Sequence, residues 1–450
     1  MARDLVRLYI RFGFGAEALQ VLRVSALSGG DSMLLKSMAE IMEYGHSLGP
    51  GPLSDQFECD SFAALWAILG SAEIPAAAQP NAAAVLRAID ALPPQLRGLL
   101  GPMASDRLIA AHQPDLAARI LRIVERGLEK PTADFEMADA GLSLAEGDIP
   151  AAERSLDNVV GSNTELSPKA LIALIDTRLE NHLPIDLETA DLAGAYAHEY
   201  RKDALGAELK RVHILALAEA GAYDTAFAEL AHFVRDHDAE TNRMVRSHAM
   251  AALTRNADDV AFLKYALDVH DPDRLTLAPA SGNAVANRLI SLGFPHEAEP
   301  YLATAAGEAE GRTRQLLRAR AALDQGKPRR AEDMLFGITG PEADLIRAEA
   351  QSATGNHDAA SQLFAALDRP DDAVNQAWLA SNWQALRQTE DPLWQRTAEM
   401  VDGPDGDAAP KPEGVMARDR ALIEDSVTAR ETLTQLLNRL AVDNADVPLE

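Results

Sequence analysis

The chain has almost no cysteine. Its single thiol, Cys59, excludes an intrachain disulfide and any multi-cysteine metal site, and it leaves the compartment, cytoplasm or periplasm, open. Aromatic residues are scarce, at 5%. Positive charge is in deficit: Lys and Arg total 42 against 69 Asp and Glu, a formal net charge of −27. Phosphate contacts need a basic face, so nucleic acid is not an expected partner. No apolar run reaches the roughly 18 residues that a bilayer crossing demands, so no membrane span is expected. The chain lacks a P-loop lysine, a G-x-S-x-G elbow and an H-E-x-x-H zinc motif. No catalytic residue, cofactor, metal or small-molecule site is therefore expected.

What is abundant is alanine, at about 18% of residues and about twice ordinary usage. Alanine is the best helix former and lets backbones approach closely. The 450 residues are too many for one ordinary core, and suit two or three domains or one extended repeat array.

A recurring spacing favours the array. Gly is followed five residues on by Ala, and four further by Leu or Phe: Gly13, Ala18, Leu22; Gly147, Ala152, Leu156; Gly221, Ala226, Leu230; Gly293, Ala298, Leu302; Gly326, Ala331, Leu335; Gly355, Ala360, Phe364. Two weaker copies replace the glycine: His112, Ala117, Leu121 and Asn256, Ala261, Tyr265. From His112 onward successive copies lie 29 to 37 residues apart, except for a gap of 74, or twice 37, between Gly147 and Gly221. A degenerate copy is expected inside that gap, within residues 166–200. Physically the unit is a helical hairpin. The first helix ends at a left-handed glycine, a short turn follows, and the alanine of the second helix faces the first at their closest crossing. The larger residue one turn later fills the space beyond.

The turn glycine, the early alanine, the large residue after it, and small residues seven positions before the turn (Ala140, Ala286, Ala319, Ala348) resemble the tetratricopeptide repeat family. The resemblance covers residues 4–22 and 103–364. The family's early aromatic and closing proline are mostly missing, and the repeat length drifts. The resemblance implies an all-α fold, an α-solenoid of stacked helical hairpins, and a protein or peptide bound on its surface.

The organisation read from composition is a first hairpin in 1–48 and an irregular helical segment with a Gly/Pro loop in 49–102. The main array spans 103–402, a flexible linker 403–415, and an amphipathic helix with a tail 416–450. A loop is expected over 271–283, and an apolar stripe of Leu422, Ile423, Val427, Leu433, Leu437 and Leu440 on the last helix. That helix is expected to cap the array, or else to carry an oligomer. The abrupt first helix and the terminal Leu449-Glu450 read as a piece of a longer protein, with earlier repeats or a targeting segment removed.

Isolated chemistry is thin. Gly13, Gly15 and Ala18 match a dinucleotide fingerprint, but no alternating strand and helix follows. Asp258-Asp259 and Asp371-Asp372 sit at helix starts, where carboxylates cap free N–H groups. Trp378, Trp383 and Trp394 read as a terminal core. A local reversal of charge stands out instead: Arg312, Arg314, Arg318, Arg320, Arg329 and Arg330, with Lys327 among them, oppose only Asp324. They are the candidate partner-binding residues, for an acidic peptide or a C-terminal carboxylate. The alternative for them is pairing with acids of neighbouring repeats. The reading that follows is a non-catalytic interaction scaffold. Its rival is a carbohydrate-active or lytic enzyme on a helical toroid, or an accessory region of one, using paired carboxylates.

Overall fold

The computed structural model describes residues 2–25, 29–271, 273–303, 307–402 and 414–443. Among them there are helices and turns and no strand. The fold is all-α, with helices packed as adjacent antiparallel pairs in the manner of an α-solenoid. The chain divides into two compact units, residues 1–236 and 237–450.

The first unit opens with α1 (Ala2–Arg11) and α2 (Gly15–Val24), a hairpin against which α3 (Gly30–Tyr44) packs. Gly15 is where α2 meets α3. A Cβ there would lie 2.6 Å from the Glu43 amide nitrogen, so the fingerprint glycine is a helix-crossing residue. Two short helices follow, α4 (Ala63–Gly70) and α5 (Ala82–Ala91), then four hairpins. These are α6 (Pro94–Ala110) with α7 (Pro114–Glu125), α8 (Ala133–Glu146) with α9 (Ile149–Gly161), α10 (Ser167–Glu180) with α11 (Leu187–Glu199), and α12 (Ala204–Glu219) with α13 (Tyr223–Phe233). The array was expected to resume near Met103. Instead α6 begins at Pro94 and runs through Pro102, because burying Leu100, Ala104 and Leu108 outweighs the one backbone hydrogen bond that proline forfeits.

The second unit holds α14 (Ala239–Asn256) with α15 (Asp259–Ala266) and α16 (Pro279–Ser291) with α17 (Pro295–Ala298), the latter continued by a 3₁₀ turn, Glu299–Leu302. Then come α18 (Glu308–Asp324) with α19 (Pro328–Met334), α20 (Pro341–Ala353) with α21 (His357–Ala366), and α22 (Pro370–Leu379) with α23 (Trp383–Arg387). Last are α24 (Pro392–Asp402) and α25 (Val415–Asp443). Helix α16 starts inside the expected 271–283 loop, with Pro279 at its first position, where a missing N–H costs nothing.

The spacing seen in the sequence has a direct structural counterpart. Gly13, Gly147, Gly221, Gly293, Gly326 and Gly355 all take φ between 72° and 86°, and His112 takes the same left-handed region at 57°. Ala18, Ala117, Ala152, Ala226, Ala298, Ala331 and Ala360 are all 0% exposed. Any larger side chain at these crossings would push two helices apart, at a cost of about 1–3 kcal/mol. The degenerate copy in residues 166–200 is the α10–α11 hairpin, turned by His182 at φ 53°.

The Asn256 copy does not follow the rule. Asn256 is the last residue of α14, and the turn is made by extended Ala257 and Asp258 instead. Its buried pair is therefore Phe262 and Ala266, one residue later than Ala261 and Tyr265. Arg288 of α16 compensates. Its guanidinium donates to the carbonyls of Thr254 (2.8 Å) and Ala257 (2.7 Å), pairs with Asp259 (2.8 Å) and covers the Phe262 ring.

The far end of the second unit is closed by Trp378, Trp383 and Trp394, whose rings meet at 5.5 and 5.7 Å between centroids, with Leu386 and Ala398. Helix α25 caps this core through Leu436 and buried Thr432. The stripe expected to pack is a different one: Leu422, Ile423, Val427, Leu433 and Leu437 are exposed, and the Leu440 side chain lies outside the described residues. So does most of the expected linker, 403–413.

Candidate functional site

Three first helices of successive hairpins, α16, α18 and α20, line a groove of about 700 Å³. Each contributes residues three or four apart, so each presents one stripe. Helix α16 gives Ala280, Asn283, Ala284 and Asn287; α18 gives Glu310, Thr313, Leu316, Leu317 and Arg320; α20 gives Glu342, Leu345 and Ile346. Leucine and isoleucine make the floor. Alanines on α16 leave the groove open on that side, and Glu310, Glu342 and Arg320 give it charge of both signs.

The wall between α16 and α18 is fixed by Arg314, which is only 3% exposed. Its Nε donates to Asn283 Oδ1 at 2.8 Å and its Nη2 to the Pro279 carbonyl at 3.1 Å. Asn283 Nδ2 in turn donates to the Glu310 carbonyl at 3.3 Å. Burial lowers the Arg314 pKa, the Arg318 charge adds to that, and Glu310 opposes it. A guanidinium in this position remains charged, so its hydrogen bonds are of the strong, charge-assisted kind.

The six arginines expected to bind a partner do not converge on one surface. Arg312 donates to the Thr339 carbonyl at 2.6 Å, and Arg318 to that of Leu302. Arg320 pairs with Glu349 of α20 and with Asp324 at 3.1 Å, and Arg330 lies 3.9 Å from Glu299. Arg329 is exposed, with no ionic partner among the described residues. Arg320 is the member of the cluster that reaches the groove. The carbonyl contacts could not be read from spacing, because Thr339 and Leu302 arrive from other hairpins. The groove's own polar residues, Asn283, Asn287 and Thr313, were not singled out either. Their signal is a polar stripe on a first helix, which a solvated face would also give.

Other sequence features are structural. Asp258 Oδ1 accepts from the Ala261 amide at 2.8 Å, and Asp372 pairs with Arg369 at 2.7 Å. Cys59 Sγ donates to Gln56 Oε1 at 2.9 Å. Among the described residues no group of three or more His, Cys, Asp or Glu is placed to hold a metal, and no helix is long and apolar enough to cross a membrane. No protein-family profile and no curated protein sequence matches the chain.

Asp106 on α6 is the carboxyl with the most altered acidity in the first unit. Desolvation lifts it to about 6, the Asp134 charge adds to that, and the Arg107 charge works against it. More than a third of its surface is nonetheless open, so the desolvation is that of a crowded concavity rather than a sealed core.

Proposed function

We propose that the protein is a non-catalytic interaction scaffold of the tetratricopeptide kind, which holds a peptide or protein segment in the α16–α18–α20 groove. One observation carries this reading: three successive first helices each turn a residue stripe into the same groove. The left-handed turn glycines and fully buried crossing alanines support the family assignment.

The bound segment places apolar side chains on Leu316, Leu317, Leu345 and Ile346. Its polar groups meet Asn287, Thr313 and the charged rim of Glu310, Arg320 and Glu342. Arg312, Arg314, Arg318 and Arg330 serve by holding the hairpins in register, so the groove keeps its shape before the partner arrives; such preorganisation lowers the cost of binding.

Site-specific photocrosslinkers test this. A crosslinker in place of Thr313 or Asn287 should label a discrete partner in extract of the natural source, and the double variant Leu317→Arg, Leu345→Arg should abolish that labelling while preserving helicity by circular dichroism. Equal labelling from a crosslinker at Arg329, or full labelling of the double variant, would sink the groove assignment.

A further inference from the structure

Although the chain carries a charge of −27, one patch of the first unit is strongly basic. Arg119 and Arg122 on α7, with Arg126 just past its end, lie three and four residues apart and so share one face. They wall a cleft of about 520 Å³ whose other lining residues are Leu86 of α5, Ile123 and Glu125. All three arginines are exposed.

Their guanidiniums have no carboxylate partner among the described residues. Arg122 Nε donates to the Ala118 carbonyl at 3.2 Å and Arg126 Nε to the Arg122 carbonyl at 3.1 Å. Both side chains thus fold back along the helix by their inner nitrogen, which leaves the two outer nitrogens of each fork turned out. The nearby basic residues are already engaged. Arg87 pairs with Asp60, and Arg97 donates to the Asp90 and Leu92 carbonyls at 2.7 and 3.1 Å. Cations at a helix C-terminus are favourable, which accounts for a basic residue here. It does not account for three on one face beside half-buried Leu86 and Ile123.

We propose that this cleft docks an acidic peptide segment of a partner protein, with aliphatic residues interleaved among its carboxylates. The three forks span roughly 10 Å of helix, so they match Glu or Asp side chains a helical turn or so apart. Leu86 and Ile123 take the aliphatic side chains. The chain's own charge favours a short segment over a long polyanion. A long polyanion would bring charge within the roughly 8–10 Å screening length of the chain's many acids and be repelled there, so only a ligand with its charge concentrated at the cleft gains more than it loses.

Fluorescence anisotropy with the full chain and a short fluorescein-labelled peptide of Glu-Glu-Leu repeats provides the test. Saturable binding is expected, weakened about tenfold or more by Arg119→Glu, Arg122→Glu and Arg126→Glu together, with the melting curve unchanged. The neutral set Arg119→Gln, Arg122→Gln, Arg126→Gln should weaken it to a similar degree, which separates loss of the forks from any effect of added negative charge on folding. Wild-type affinity in both triple variants overturns the proposal, as does the absence of saturable binding. Tighter arginine-dependent binding of duplex DNA or phosphatidylserine vesicles than of the peptide overturns the choice of a peptide.

Discussion

Helix α18 carries Arg312, Arg314, Arg318 and Arg320; α7 and the residue after it carry Arg119, Arg122 and Arg126. The two sets meet opposite fates. On α18 each guanidinium finds a carbonyl, a buried amide or a carboxylate, mostly supplied by another hairpin. Around α7 the forks touch only their own helix, and the outer nitrogens stay open. A repeat array makes this difference. In a stack, what a side chain meets is decided by residues about one repeat away: α18 meets Glu349 and the carbonyls of Thr339 and Leu302, whereas the acids that follow α7, such as Asp134 and Glu136, pair with none of its arginines among the described residues. Clustered charge in a sequence therefore marks where arginines are, while their neighbours decide whether they remain available.

Four substitutions put that contrast at risk or sharpen it. The largest effect is expected from Arg314→Ala. It strands Asn283 Oδ1 and the Pro279 carbonyl in the wall between α16 and α18, and should cost about 3 kcal/mol in denaturant unfolding. Arg122→Ala should stay within about 0.5 kcal/mol of the parent. Similar losses from the two would erase the distinction.

Arg107→Gln asks whether engaged arginines are confined to the second unit. Arg107 gathers the carbonyls of Gly45, Leu69 and Ser71, and that of Ile68 at 2.8 Å. Glutamine can replace only part of that set, so a loss of about 2 kcal/mol is expected in the same assay. A neutral outcome would mean these carbonyls are equally well served by water.

The smallest effect concerns Asp106, which sits beside Arg107 in sequence yet makes no hydrogen bond with it among the described residues. Its folded pKa, about 6, lies above the ordinary 3.8. Between those values the folded chain holds the proton more tightly, so this carboxyl favours folding below about pH 4 and loses that contribution as pH rises through 6. Asp106→Asn should therefore raise the melting temperature slightly at pH 7, with the gain fading as the pH falls to 4. A gain independent of pH would place its origin elsewhere.

Much of the fold was legible because a left-handed glycine and a crossing alanine are local demands. Each can be met only by a small set of residues, so each leaves a trace at fixed spacing. Where another residue met the demand, as His182 does, the trace vanished although the hairpin remained. The Asn256 copy misled for the converse reason. Asparagine tolerates the left-handed region, but a carbonyl clamp from α16 made that conformation unnecessary. On α25 the period was right and the face was wrong, since alanine, threonine and leucine together make the buried side. The candidate site was less legible still. A groove is a property of three helices at once, and none of its lining residues is unusual on its own helix.

The clamp at Arg288 also bears on how the chain comes into being. A protein is made from its N-terminus, so α14 and α15 exist before Arg288 does. Their connecting turn has no left-handed residue to close it, and the carbonyls of Thr254 and Ala257 must stay with water until α16 emerges. Arg107 imposes the same delay on the segment from Gly45 to Ser71. Such joints mature backwards along the chain, each waiting for an arginine that synthesis has yet to deliver.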